Sequence, residues 1–411
     1  MTTESPGKEH STQFIECPVG GRFQAAPWLK SKATDFLQWT ADSGVVASNS
    51  ATMSEAISIA VHPSFFWVEE MRSLASCLPK VLNSCDGLRF SSLSEATAYA
   101  GLHLLDRYGR VAQALEYLMR VGRLPIRKRA VKVLEVGAGP APALYAVRDF
   151  YSMLRAWPGR GEVQIADVEL AHSIERGEAW DSILHHISEQ LMLARTDASP
   201  KALPFSRTIP DFTDFSALAQ RRQEFERKAQ HIHWEFMHAE DPISMLTARR
   251  ISLKEGNASP HAYDLIFMCN FLTQPSMTKN FDKELRQLAQ DLTPGGILAI
   301  LGGTGKQYPS VYAEVRRIAS EQRLTDISPT ESFDANREPH RGVVCRQVRD
   351  YVHAVLAKCS EDERNTLTTE LPQDAWSDKV DFKLPSFQVL AFSNQRRPKS
   401  MRQKGNKKKV F

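Results

Sequence analysis

The stretch VKVLEVGAGPAPAL, Val131 to Leu144, decides the fold. Its first six residues include three valines and a leucine, the composition of a strand covered on both faces. The run carries a carboxylate, Glu135, near its end and then breaks into Gly137-Ala138-Gly139 ahead of two prolines. Pro142 is tolerated in a first helical turn, so PAPALYAVRDFYSMLRAW continues as a helix. Strand, glycine turn and helix in that order set the turn at the carboxyl edge of a sheet. There a backbone without side chains lets a ligand approach closely. Two phosphate-binding alternatives fail on the residues: the Walker pattern G-x-x-x-x-G-K-[ST] is absent, and the dinucleotide fingerprint needs glycine where Pro142 stands.

Downstream, strands and helices alternate. VQIAD, Val163 to Asp167, reads as a second short strand and AWDSILHHISEQLMLA as the helix after it. A polar stretch from Ser199 to Gln230, longer than a crossover needs, reads as an insertion near 199–230. HIHWEFMHAED, YDLIFMCN and GGILAILG follow as third, fourth and fifth strands, and SFQVLAFSNQ as a last, antiparallel edge strand. The rhythm predicts an α/β, Rossmann-like, mostly parallel sheet with helices on both faces.

Upstream the pattern is helical. Residues 1–50 are rich in Ser, Thr, Gly and Pro and read as an irregular N-terminal segment. Residues 51–125 read as a helical cap, with Phe65, Phe66, Val68, Met71, Leu74 and Leu78 along one face after Pro63 and a capping-box pair at Ser92 and Glu95. Trp67, Tyr99, His103 and Tyr108 are the residues of this cap expected to shape a pocket over the sheet.

Composition bounds the rest. With 411 residues and 42% hydrophobic content the chain buries a large core. No window approaches the roughly 20 apolar residues of a membrane span, and the N-terminus has neither a signal-peptide core nor an Arg-rich transit pattern. The expectation is a soluble, cytoplasmic protein with no membrane partner. The six cysteines are scattered without a C-x-x-C pair, which argues against a disulfide framework or zinc ribbon, and the histidines show no metal-ligand spacing. The last 16 residues, RRPKSMRQKGNKKKVF, carry eight basic side chains and no acid, so the rest of this net +4 chain has a charge of −4. Such a block reads as a disordered basic tail, 396–411, able to meet the phosphates of RNA or DNA or to act as a localisation signal, with a solvated tail that aids solubility as the plainer alternative.

The strand ends, taken together, resemble those of class I S-adenosylmethionine-dependent methyltransferases. LEVGAGPAPAL resembles the family's first motif, with Ala141 where a third glycine is usual; VQIADVE, FMHAEDPISML, YDLIFMCNFLTQ and ELRQLAQDLTPGGILAILG resemble the elements that follow it. The resemblance implies a cofactor-binding domain over 126–395, with S-adenosyl-L-methionine as cofactor. Glu135 would face the cofactor's amino-acid end and Gly137, Ala138 and Gly139 would pass beneath it. Asp167, with Glu169 as competitor, would hold the ribose hydroxyls. Glu240 or Asp241 would accept from the adenine, and Asn270 would face the methionine portion and the substrate. Each acid has a plainer alternative as a helix cap or surface charge.

The implied chemistry is an in-line displacement at a sulfonium methyl, which needs alignment more than a strong base, so no catalytic residue is assigned. Asn270-Phe271-Leu272-Thr273 departs from the [ND]-P-P-[YF] run of adenine N-methylating enzymes, and Cys269 lacks the neighbours of a cytosine C5 nucleophile. The acceptor stays open between a small molecule and RNA. VLEVGAGPAPALYAVRDFY with LGGTGKQYPSVYAEVRRIAS is also similar to the methyltransferase-like family of mitochondrial small-ribosomal-subunit assembly, though the cysteines here form no cluster-binding set. The alternative to an enzyme is a methyltransferase-fold assembly or scaffold factor associated with RNA or the ribosome.

Overall fold

The computed structural model describes residues 14–17, 21–84, 88, 90, 92–126, 131–175, 179–194, 205–209, 263–377, 379–380 and 382–395. Near the N-terminus β1 (Phe14–Cys17) pairs antiparallel with β2 (Gly21–Gln24), apart from the main sheet. The main sheet holds β3 (Val131–Val136), β4 (Val168–Ile174), β5 (Phe205–Ile209), β6 (Tyr263–Cys269), β7 (Leu292–Gly303), β8 (Thr325–Asp326) and β9 (Phe387–Ser393), in the order β5-β4-β3-β6-β7-β9-β8. From β5 to β7 every pairing is parallel; β9 runs antiparallel between β7 and β8.

Two cores flank this sheet because side chains alternate along each strand. On one face Val131 and Val133 of β3 and Leu265, Phe267 and Cys269 of β6 pack beneath a helical layer. That layer holds α1 (Ala25–Asp42), α2 (Val45–Ala60), α3 (Val68–Ser84), α4 (Leu93–Arg120), α5 (Pro142–Ala156) and α6 (Ala179–Ala194). On the other face α7 (Pro275–Asn280), α8 (Asp282–Gln290) and α9 (Tyr308–Glu321) succeed one another. Leu134, Val136, Ile266 and Met268 pack beneath α8 and α9. α10 (His340–Leu356) returns to the first face, and α11 (Glu361–Glu370) follows it. The helix after β3 thus covers one face and the helices after β6 the other. In sheets of this kind ligands bind at such a switch point, outside the carboxyl ends of the two strands.

The Rossmann-like architecture expected from the sequence is the one found, with four differences. The segment read as irregular to residue 50 holds α1 and the start of α2. Leu29, Ala33 and Phe36 lie one helical turn apart and are buried, and the Phe36 ring meets Phe150 edge-on at 5.4 Å and Trp157 at 5.5 Å. The second strand runs over Val168–Ile174 rather than Val163–Asp167, because pairing with β3 is registered Val131 to Val168 and Val136 to Ile174. The outer place beside β4 is taken by Phe205–Ile209, inside the stretch read as an insertion. The stretch expected as third strand, 231–241, lies outside the described residues, as does the basic tail. Last, β9 is antiparallel as expected but is not the edge, since Thr325 and Asp326 pair along its outer side.

α4 ties the helical layer to the sheet. Ser92 caps it, its hydroxyl accepting from the Glu95 N–H at 3.2 Å. Mid-helix, the buried Asp106 carboxylate receives the Arg110 guanidinium in a forked pair, 2.9 Å on each side. That guanidinium also donates to the Pro385 carbonyl at 3.2 Å and lies 5.1 Å over the Phe387 ring, at the start of β9.

Candidate functional site at the carboxyl rim

The turn after β3 has left-handed backbone at Gly137 (φ 63°), Gly139 (φ 49°) and Ala141 (φ 57°). Gly137 needs glycine for a second reason. A Cβ on it would stand 2.2 Å from the Phe271 ring, whereas one on Gly139 would meet Trp180 at an ordinary contact distance of 3.5 Å. The room that the sequence reserved for a ligand against Gly137 is therefore taken by the Phe271 ring, while Trp180 walls the turn beside Gly139. Ala141 accepts the left-handed conformation at the third-glycine position while fully buried, and its N–H closes the turn onto the Ala138 carbonyl at 2.7 Å.

Glu135 lies on the face shared with α5 and is fully buried. Its Oε2 accepts from the Ala143 and Leu144 N–H groups at 3.0 and 3.2 Å, fixing the first turn of α5 to the end of β3. Its Oε1 is buried and lacks a hydrogen-bond donor among the described residues, although the Cys269 thiol lies against the carboxyl group. Burial pushes the Glu135 pKa up to about 8, against the pull of the two backbone donors. The Cys269 thiol is likewise held well above its ordinary value, by burial and by Glu135. At neutral pH the pair is a neutral acid beside a neutral thiol.

The sequence placed the second acid at Asp167; the structure places it elsewhere. Asp167 precedes β4 at the amino edge of the sheet, paired with Arg155 of α5 and accepting from the Val168 N–H at 2.9 Å. Glu169 is the second residue of β4, also toward that edge. At the carboxyl end of β4 stands Glu175 instead, half-buried, whose Oε2 accepts the Gly139 N–H at 2.7 Å. The signal that could have found it was present: Glu175 closes VELAHSIE as Glu135 nearly closes VKVLEV. Asn270, after β6, adopts φ 52° and returns its N–H to the Leu301 carbonyl of β7 at 2.8 Å. Glu240 and Asp241 lie outside the described residues. The fold thus brings Glu135, Gly137, Ala138, Gly139 and Asn270 to one rim, adds Glu175, and removes Asp167.

The helical layer roofs part of this rim. Tyr99 and Phe90 meet Trp180 at ring-centroid distances of 5.9 and 5.3 Å, and the His103 ring lies tilted against Tyr99 at 5.0 Å. Burial, then the neighbouring Arg107 charge, lowers the His103 pKa to about 4, so its ring is neutral. Tyr108 turns away to Asp149, donating at 2.9 Å, and Trp67 is 80% exposed. Among the described residues no three His, Cys, Asp or Glu side chains converge as a metal-holding group, and no helix is long and apolar enough to cross a membrane.

No protein-family model matches the sequence, and no curated protein matches it. Among solved structures, the chain is similar to a SAM-dependent methyltransferase described as putative from Streptococcus mutans (9% identity, TM-score 0.30, 69% of this chain and 48% of that one). It is also similar to phosphoethanolamine N-methyltransferase 2 of Haemonchus contortus, in complex with phosphomonomethylethanolamine and S-adenosylhomocysteine (12%, TM-score 0.32, 75% and 61%). A third is the cyclopropane synthase MmaA2 of Mycobacterium tuberculosis (10%, TM-score 0.30, 83% and 97%). The chain spans about half the length of the first and 61% of the second. At such identities and TM-scores the shared names transfer no chemistry to this chain.

Proposed function

We propose that the chain binds S-adenosylmethionine at the crevice between β3 and β6 and moves its methyl group to an acceptor, a small molecule in preference to RNA. The observation that carries this is the meeting of Glu175 with the Gly139 N–H at 2.7 Å: a part-exposed carboxylate at the end of one strand, held against the glycine turn at the end of its neighbour. The residues present fit the cofactor on two counts. Glu175 is a carboxylate able to accept paired ribose hydroxyls, the role that the resemblance gave to Asp167. The buried Glu135 Oε1 would meet a cationic amino group, directly or through water, once that charge draws off the carboxyl proton that burial otherwise holds.

Bound there, the cofactor supplies an already activated methyl on sulfur. What remains for the protein is to bind, orient and exclude water. Phe271 over Gly137 and Trp180 beside Gly139 form apolar walls, and Tyr99, His103 and Phe90 roof the second of these. A roofed, ring-lined crevice favours a small acceptor over a polynucleotide.

Calorimetry on the full chain tests the proposal. S-adenosylhomocysteine should give a measurable Kd, Glu175→Ala should weaken it at least tenfold, about 1.4 kcal/mol, and Asp167→Ala should leave it unchanged. Absence of binding to the unmodified chain overturns the proposal and leaves the scaffold alternative. Binding lost with Asp167 but kept without Glu175 would restore the sequence's own assignment.

A further inference from the structure

A groove of about 1040 Å³ runs between α11 and the amino-terminal half of α3 with the turn Pro63–Phe65 ahead of it. Met71, Ala75 and Leu367 are buried along it and Phe66 is half-buried beside them. Val68 also lines it, and Val68 and the neighbouring Trp67, 69% and 80% exposed, are the two most exposed large apolar side chains among the described residues. An apolar strip laid open in this way marks a surface that another segment covers.

The surroundings of the groove are acidic. Over 63–76 and 358–370 six acids, Glu69, Glu70, Glu361, Asp362, Glu363 and Glu370, stand against three bases, Arg72, Lys358 and Arg364. The fold itself takes up several of them. Glu363 accepts the Ser360 N–H at 2.9 Å and meets Arg72 at 3.4 Å, Glu70 accepts the Trp67 N–H at 2.9 Å, and the Arg364 guanidinium donates to the Leu356 carbonyl at 3.1 Å. Asp362 and Glu370, exposed and lining the groove, form no ion pair among the described residues.

A complementary segment lies in the same chain. KKKVF, Lys407 to Phe411, sets three lysines beside two apolar residues, within a tail of eight bases and no acid. We propose that the groove between α3 and α11 is the docking site of this chain's own segment 404–411, with Val410 and Phe411 on the apolar strip and Lys407, Lys408 and Lys409 against Asp362 and Glu370. Lysine suits such a groove, because its stem covers apolar surface while its ammonium group reaches outward to the carboxylates. Sixteen residues beyond Gln395 span up to roughly 50 Å when extended, comparable with the width of a compact chain of this length, so the segment can return to its own chain. Exposed ion pairs are individually weak and screened by salt, which makes the docking reversible and salt-sensitive. The inference is independent of cofactor binding and methyl transfer.

Carbodiimide coupling of carboxylates to amines, mapped by mass spectrometry on an equal mixture of unlabelled and nitrogen-15-labelled full chains, tests it. At low salt Lys407, Lys408 or Lys409 should couple to Asp362 or Glu370 within chains of one label, at least fivefold more than to exposed acids away from the groove. In about 0.5 M sodium chloride that coupling should fall at least fivefold. Val410→Ser with Phe411→Ser, which leaves every charge in place, should lower it at least threefold, and Val68→Ser on the exposed lining should lower it in the same direction. Four results overturn the proposal: no coupling of the three lysines to Asp362 or Glu370, coupling spread evenly over surface acids, coupling chiefly between chains of different label, or coupling that the paired Ser substitutions leave unchanged.

Discussion

The two edges of the sheet use their acids in opposite ways. At the amino edge every acid that the structure describes near a strand start is taken up by the fold. Asp264 is buried and receives the Lys132 N–H at 3.0 Å and the Thr293 hydroxyl at 2.7 Å, tying the starts of β6, β3 and β7 together. Asp167 receives Arg155 and the Val168 N–H. At the carboxyl edge Glu135 keeps an oxygen without a hydrogen-bond partner among the described residues and holds its proton to about pH 8, and Glu175 stands half-buried against the glycine turn. An acid completed by the protein serves the protein, whereas one with an oxygen left over at a switch point gives a ligand something to complete.

That contrast can be broken, most severely at Asp264. Asp264→Ala strands a backbone N–H and a hydroxyl, and should cost about 2–4 kcal/mol in urea denaturation. The S-adenosylhomocysteine affinity of the folded fraction should not change; a large affinity loss would erase the distinction between the edges.

Glu135→Gln sharpens the comparison. The folded protein keeps the Glu135 proton to about pH 8, while the unfolded chain releases it near 4.5, so folding binds a proton between those values and stability falls as pH rises through them. Between about pH 5.5 and pH 7.5 this contributes a loss of up to about 2.7 kcal/mol, which the Gln variant should lack because the amide still accepts from Ala143 and Leu144 without a charge to acquire. Cofactor affinity should fall at the same time. Parallel pH slopes for both proteins would mean that Glu135 titrates normally.

The smallest effect belongs to the amino edge again. Arg155 and Asp167 form an ion pair whose side chains are 40% and 41% exposed. Arg155→Ala should therefore change stability by less than about 1 kcal/mol, less still in high salt, and leave cofactor affinity alone.

Much of this molecule was legible along the chain. Val131–Val136, the glycine turn, the helix from Pro142 and the buried strand Tyr263–Cys269 all carry local signals: a β-branched or mostly apolar run, a side-chain-free turn, a proline at a helix start. Others were not. α1, AAPWLKSKATDFLQWTAD, lies in the stretch read as irregular; its helicity rests on burying Leu29, Ala33 and Phe36 against the rest of the helical layer. VQIADVELAHSI offers two adjoining strand candidates, 163–167 and 168–174, and only the partner decides between them.

By itself the sequence determined that a sheet of buried strands ends in a glycine turn beside a carboxylate, since hydrophobic period and turn chemistry are local properties. Only the tertiary structure decided which second acid stands with that turn. Register against β3 is a property of two segments at once, and it carries Asp167 to one end of the strand and Glu175 to the other.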